Sequence, residues 1–451
     1  MSNKKLTVLI YPMLSTDYLN ADSNYIIIKQ ICNELIKTKR YNFILLINSQ
    51  KKYVKDDLNK QVKIIRMPMP NAKKHQVINF NANIFRDLYK NYAIDIVWNN
   101  VVEQGHHFRY FEDTLTDNQR VKVFNYHHYV IHRSLEKMTA YLPCRHIMLD
   151  QIVGSLGADM NFFHTQYCYD MLIEEAKDIL LPKEVIKIQQ KSIVSLGGYS
   201  DDIISQNKYE KFTFIFNHRL DGYKNWKTTF NQFDKLWDKG LDFQVILTAG
   251  DKDNINIIAQ KPYTIVKSFT KHSDYIKELS KCHANTINSR HETYCISIAE
   301  SIMNEQIVIL PNRLTFPELV GNDYEYLFND EDEQYKMLEN IITNQIKNYK
   351  YKTKERLKLT NHAKNIDTYF NKLRNEYKAD VFNRIKKQTS KDKIIEHLST
   401  RDSVTLNKFK NYIFSLGYGN QAFSNIKLKH ILEELGYNYN IMLDKFIKQI
   451  Q

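Results

Sequence analysis

Cysteine is sparse and unpatterned. Five are spread through 451 residues, at Cys32, Cys144, Cys168, Cys282 and Cys295, an odd number with no CxxC pair. That spacing argues against a disulfide framework and against a zinc site, and it fits a reducing cytoplasm. Glycine (12) and proline (8) are scarce, while Lys, Asn, Ile and Tyr are conspicuous. The bias reflects an AT-rich coding sequence more than any physical demand. Long apolar runs are also missing. The opening MSNKKLTVLIYPML has Lys4 and Lys5 before an apolar stretch too short to span a bilayer, with no small-residue cleavage site, so it reads as a first buried strand.

A chain of this length exceeds one ordinary core and suggests two or three domains. Its 43% hydrophobic and 12% aromatic content is that of a globular protein rather than a disordered one. The net charge of +13 favours a polyanionic partner or substrate: nucleic acid, a nucleotide-linked metabolite or an anionic membrane surface. A lysine-rich solvated surface is the plainer alternative.

The apolar periodicity alternates between strand and helix. KLTVLIYPM reads as a strand, DSNYIIIKQICNELIKTK as a helix capped by Asp22 or Ser23, and YNFILLINS as the next strand. Strand, helix, strand within about 45 residues is a parallel crossover unit. VKIIRMPM, IDIVWNN, VKVFNYHHY and MNFFHTQ continue the series. After Gly197 and Gly198 a second series starts with FTFIFNHR, a helix WKTTFNQFDKLWDKG closed by Gly240, and DFQVILTAG. The expected class is α/β, with two doubly wound, Rossmann-like domains in tandem and the ligand site in their cleft. We expect a first domain over 1–196, a second over 197–361, a helix over 362–387 returning toward the first, and a basic helical module over 388–451. From Arg384 to the end there are twelve Lys/Arg against six Asp/Glu.

Three stretches carry candidate chemistry. FNHRLDGYKNW places Arg219 and Lys224 between a strand and a helix, where cations beside a helix N-terminus suit a diphosphate. SRHETYCISIAES puts Glu292 after a strand and Glu300 inside the next helix, so both can face one strand-end crevice. As isolated residues they also fit a helix-start carboxylate and a buried acid satisfied by backbone. PNRLTFPELVG is the following strand-end loop.

Together, RLDGYK, the E-x7-E pair and the RLTFPE loop resemble retaining GT-B glycosyltransferases of the family 4 type, over roughly residues 5 to 380. NHRLDGYKNW and NRLTFPE are also similar to the branch that mannosylates queuosine in transfer RNA. The resemblance implies that Arg219 and Lys224 hold the donor diphosphate and stabilise it as it leaves, charge stabilisation that can replace a metal. It implies that Glu292 lies beside the transferred sugar, that Glu300 bonds the ribose, and that the amides of Leu314 and Thr315 contact the donor. The donor implied is a UDP- or GDP-hexose, UDP-glucose foremost, with no prosthetic group and no metal. The chain departs from the pattern where the family often has small residues: it carries Thr293, Tyr294 and Cys295, then Leu314, Thr315 and Phe316. The glycine-rich loop usual after the first strand is absent as well.

In the first domain, Glu103 and the pair His127 and His128 end strands that face the cleft and are the acceptor-side candidates. His128 and His132 have a zinc-like spacing but lack a third ligand in register. The acidic run NDEDEQ reads as a solvated loop or helix start. Excess positive charge and the basic C-terminal module favour a hydroxylated base in DNA as the acceptor, by analogy with phage DNA glucosyltransferases. The alternatives are a cell-surface polymer, a protein or transfer-RNA queuosine as acceptor, and a non-catalytic nucleic-acid-binding scaffold. The expected compartment is the cytoplasm of a bacterium or a virus-infected host cell.

Overall fold

The computed structural model describes residues 5–12, 14, 22–49, 58–67, 80–113, 121–132, 145–198, 206–248, 252–269 and 271–375, and then 403–404, 432, 437–440 and 445–448. Two compact units divide at Arg374 and Asn375.

The first unit contains two parallel sheets. One runs in the order β3-β2-β1-β4-β5-β6-β7, with β1 Leu6–Tyr11, β2 Tyr41–Asn48, β3 Lys63–Met67, β4 Ile96–Asn99, β5 Lys122–His127, β6 Met160–Phe163 and β7 Ser192–Val194. The other runs β10-β9-β8-β11-β12-β13, with β8 Phe212–Phe216, β9 Phe243–Leu247, β10 Thr264–Val266, β11 Ala284–Thr286, β12 Ile307–Pro311 and β13 Leu327–Phe328. Strands such as FTFIF and IVILP are buried at every residue, as expected of strands covered by helices on both faces. Chain direction reverses between β1 and β4 and again between β8 and β11. These switch points leave crevices at the carboxyl ends of the strands, where α/β proteins bind ligands.

Local chemistry explains the boundaries. Asp22 caps the helix Ser23–Lys37 by accepting from the amides of Asn24 (3.0 Å) and Tyr25 (3.2 Å). Gly240, at φ +85°, ends the helix Trp226–Asp238 in a backbone region that other residues enter at a cost. NDEDEQ opens a helix, Glu331–Thr343, with Asp330 capping the Glu333 amide at 2.9 Å.

A helix over residues 359–375 lies on the first sheet. Phe370 packs edge-on to Trp98 (5.9 Å between centroids), Phe124 (5.2 Å) and Tyr41 (5.9 Å), while Asp367 accepts from Arg40 at 2.7 Å. The chain therefore passes from first sheet to second and back. The two crossings touch: a Cβ on Gly198 would stand 2.2 Å from the Lys358 carbonyl, so only glycine fits there.

In the second unit the described strands are β14 Ser403–Val404, β15 Tyr437–Asn440 and β16 Lys445–Lys448, forming an antiparallel sheet in the order β14-β16-β15. The three helices expected from SKDKIIEHLST, VTLNKFKNYIFSLG and NIKLKHILEELG lie almost wholly outside the described residues. Val404, expected to open the second of them, is in a strand. Leu432 is helical.

Candidate functional site

Five of the six donor-side residues surround the β8–β11 switch point. After β8 the chain makes a 3-10 turn, Gly222–Lys224, closed by Asn225 in the left-handed region at φ 51°. The turn brings Lys224 inward: it is buried and forms an ion pair with Glu292, which follows β11. Burial opposes the ammonium, but Glu292, with Tyr223 and Cys295, holds the Lys224 pKa above the ordinary lysine value. Arg219 stays exposed, donates to the Tyr223 hydroxyl and lies 5.7 Å from that ring's centroid, while Lys224 lies 5.2 Å from it. Tyr223 thus spaces the two cations, and its carbonyl accepts from the Arg290 amide at 2.8 Å, joining the loops after β8 and β11.

The helix expected from Tyr294 begins later, at Ile296, because Cys295 adopts φ 72°, ψ 78°. Leu314, in the loop after β12, likewise has φ 60°. Both are positions where the family resemblance leads one to expect small or glycine residues, and here a side chain bears the left-handed strain of about 1–2 kcal/mol. Among the described residues, no hydrogen bond reaches the amides of Leu314 or Thr315, and the buried Thr315 hydroxyl has no partner. Burial and the nearby Glu292 push the Cys295 thiol up to about 12, which makes it a packing residue and not a nucleophile.

Glu300 is the sixth residue. His272 Nε2 lies 2.9 Å from its Oε1, and the Tyr275 hydroxyl donates to its Oε2 at 2.8 Å. A polar network runs back toward β8: Asn217 Nδ2 donates to the Tyr275 hydroxyl at 2.6 Å, and Asn285 Nδ2 donates to Asn217 Oδ1 at 2.9 Å. His218, next to Arg219, lies 2.8 Å from Ser297 Oγ and 3.3 Å from Asn285 Oδ1. Burial, with Lys224 nearby, holds His218 well below the usual histidine range, so the ring is neutral.

None of His272, Tyr275, Asn217 or His218 was singled out from sequence. A signal existed, since HSDY starts the helix that follows β10 and its residues i and i+3 share a face at a strand end.

On the other side of the cleft the two acceptor-side histidines separate, because successive strand residues face opposite ways. His127 is fully buried, stacked on Phe163 with 4.1 Å between ring centroids, and burial lowers its pKa to about 3. That is a core histidine. His128 remains accessible, 2.7 Å from Asn100 Oδ1, and its carbonyl accepts from Thr293 Oγ1 at 2.8 Å. Glu103 is buried, with Oε1 accepting from Tyr129 (2.5 Å) and Gln151 (3.0 Å) and Oε2 unpartnered. Burial raises its pKa. Gly105 and Gly154 permit this, since a Cβ on either would meet backbone within 2.3 Å as the helix Arg145–Gly157 presses on the turn bearing Glu103.

The donor-side loops are tied directly to the first domain. Thr165 Oγ1 donates to the Thr293 carbonyl at 2.8 Å, and Tyr294 donates to the Gly197 carbonyl. Glu318 accepts from the amides of Gln166 and Tyr167, both at 2.7 Å, at the N-terminus of the helix Gln166–Ile179. The departures from the family pattern at Thr293 and Tyr294 are thus contacts between domains.

Residues 128–132 are not helical, and among the described residues no group of three His, Cys, Asp or Glu is placed to hold a metal ion. No described helix is long and apolar enough to cross a membrane.

Residues 200–366 match the family Glycosyl transferases group 1. The second domain is a glycosyltransferase domain, and the enzyme is of the hexosyltransferase type. Solved structures agree on the fold. Sucrose-phosphate synthase from Thermosynechococcus elongatus superposes with a TM-score of 0.57 at 10% identity, covering 85% of this chain and 99% of that one. The lipopolysaccharide outer core galactosyltransferase WaaB, in its apo form, gives 0.51 at 12% identity, with 80% and 98% covered. HepE from Anabaena, in complex with UDP and glucose, gives 0.50 at 10% identity, with 84% and 100% covered. The architecture is GT-B. No curated protein sequence matches this glycosyltransferase.

Proposed function

We propose that the enzyme transfers a hexose from a nucleotide-sugar, a UDP-sugar in the first instance, to a hydroxyl acceptor with retention at the anomeric carbon. The observation that carries this reading is the buried Lys224–Glu292 pair at the β8–β11 switch point, with Arg219 held across Tyr223. An ammonium has three donors. One faces Glu292, leaving two for a diphosphate that the Arg219 guanidinium can also grip, with the open amides of Leu314 and Thr315 beside it.

In the reaction the bond between the anomeric carbon and the diphosphate oxygen breaks, and the acceptor oxygen bonds that carbon on the same face. The acceptor proton passes to the departing diphosphate oxygen. Arg219 and Lys224 stabilise the charge that accumulates there, a contribution that grows toward the transition state. Glu292 faces the sugar and Glu300 the ribose, while His128, near the interdomain contacts, and Glu103 belong to the acceptor side.

For the acceptor we favour a hydroxylated base in DNA, on the strength of the +13 charge and the basic C-terminal stretch. The decisive assay is turnover of UDP- and GDP-hexoses by the full-length chain. Arg219→Ala and Lys224→Ala should each lower transfer by at least about a hundredfold, the order expected for removing one charge-stabilising group. Full activity in both variants would sink the donor assignment. Retention on duplex DNA carrying hydroxymethylated bases should fall steeply between 50 and 200 mM salt, on the order of the phosphate-contact slope. Absence of binding at low salt removes the DNA acceptor and leaves the donor reading standing.

A further inference from the structure

Glu300 is almost enclosed, and both of its oxygens are occupied before any ligand is considered. His272 and Tyr275 stand three residues apart at the start of the helix His272–Lys281, so one helical face presents both groups to it. The direction of each bond follows from what surrounds it. Tyr275 receives a proton from Asn217 Nδ2, so its own hydroxyl proton goes to Glu300 Oε2. The Tyr275 phenol is held well above its usual pKa by burial and by Glu300, so it remains a donor. A carboxylate offers roughly four lone-pair positions, two on each oxygen. With one on each oxygen used, one remains on each, and the carboxylate cannot rotate about its axis without breaking a bond.

A freely rotating carboxylate accepts one hydroxyl as well as two, and tolerates the loss of one of a pair. A carboxylate pinned at both oxygens presents two adjacent acceptors in a fixed plane, which matches a vicinal diol. We propose that His272 and Tyr275 are positioning residues that hold Glu300 as a two-pronged acceptor for the 2′,3′-diol of the donor, and that they thereby set a preference for ribonucleotides over 2′-deoxyribonucleotides. The proposal rests on the nucleotide-sugar reading given above and deepens it. Tyr275 is also joined through Asn217 to the end of β8, two residues before Arg219. The ribose grip and the diphosphate grip are thus braced against one another.

The test is equilibrium binding by the full-length chain of UDP and 2′-deoxy-UDP, and in parallel of GDP and 2′-deoxy-GDP. The wild type should prefer the ribonucleotide by about tenfold or more, the value of a hydrogen bond to a charged group. Tyr275→Phe and His272→Ala should narrow that ratio to within about threefold, chiefly by weakening the ribonucleotide. His272→Gln, which keeps a donor, should retain most of the preference. The donor KM should rise in the two weakened variants with kcat little changed, a split that a general loss of structure does not produce. If both variants bind nucleotide with the wild-type ratio, the positioning role is wrong while the donor site stands. If none of the four nucleotides binds the wild type, the donor reading itself fails and the inference with it.

Discussion

The Lys224–Glu292 pair makes a prediction that does not depend on knowing the sugar. Each side chain is only 10% exposed, so removing one partner leaves the other as a buried, uncompensated charge. Breaking such a pair costs about 3–5 kcal/mol, whereas replacing both partners by apolar groups of similar volume is often neutral. Lys224→Met should therefore destabilise the first unit, Met1–Arg374, by about 4 kcal/mol, and Glu292→Leu by a similar amount. With an unfolding entropy of about 2 cal/mol/K per residue, that corresponds to a fall in Tm of roughly 5 °C. The double variant should return to within about 1 kcal/mol of the wild type, although all three lack transfer activity. Differential scanning calorimetry of the four full-length proteins measures the cycle. Single variants that melt within a degree of the wild type, or effects that add without coupling, would refute the claim that the charges depend on one another. Because the folded-state pKa of Lys224 is raised, its stabilisation is fully present below the unfolded lysine value of about 10.4 and is lost only as pH rises above it. The coupling should then be unchanged from pH 6 to 9.

Three further outcomes are expected. Glu318→Ala removes both acceptors from the helix at Gln166 and Tyr167 and should widen the distribution of distances between the two domains, measured by single-molecule energy transfer; an unchanged distribution counts against the contact as a clasp. His127 and His362 are buried neutral, each with a pKa lowered to about 3, and so oppose folding as pH falls below the unfolded value of about 6.5. At pH 5.5 the two together should cost about 3 kcal/mol, seen as a drop in the urea midpoint that His127→Gln partly removes. Cys295→Gly relieves the positive φ while giving up a small buried thiol and should stay within about 1 kcal/mol of the wild type, whereas Cys295→Val should cost about 2 kcal/mol or more in chemical denaturation.

Much of this architecture is legible in one dimension. Parallel strands covered on both faces write themselves as continuous apolar runs, so FTFIF and IVILP are recognisable without a partner. Arg219, Lys224, Glu292, Glu300, Leu314 and Thr315 could be grouped because each follows or flanks a strand that ends at the same crevice. What was not legible depends on pairs far apart in the chain. Thr293 bonds to residues 165 and 128 positions away, and nothing in HETYC signals this. His127 and His128 look equivalent in NYHHY, yet strand alternation sends one into the core and the other to the cleft. The late helix start at Ile296 follows from a left-handed Cys295, a conformation that helix propensity does not anticipate.

The contact between Gly198 and Lys358 has a mechanical meaning. Two chain segments join the sheets, and where they pass they are pressed together with no room for a single methyl group. A body held by two adjacent tethers swings about the point where they meet more readily than it translates away from it. Loops beside that pivot barely travel, while loops remote from it sweep the longest arc. A Gly198→Ala substitution wedges the pivot itself and so reaches every one of those arcs from a residue that touches no ligand.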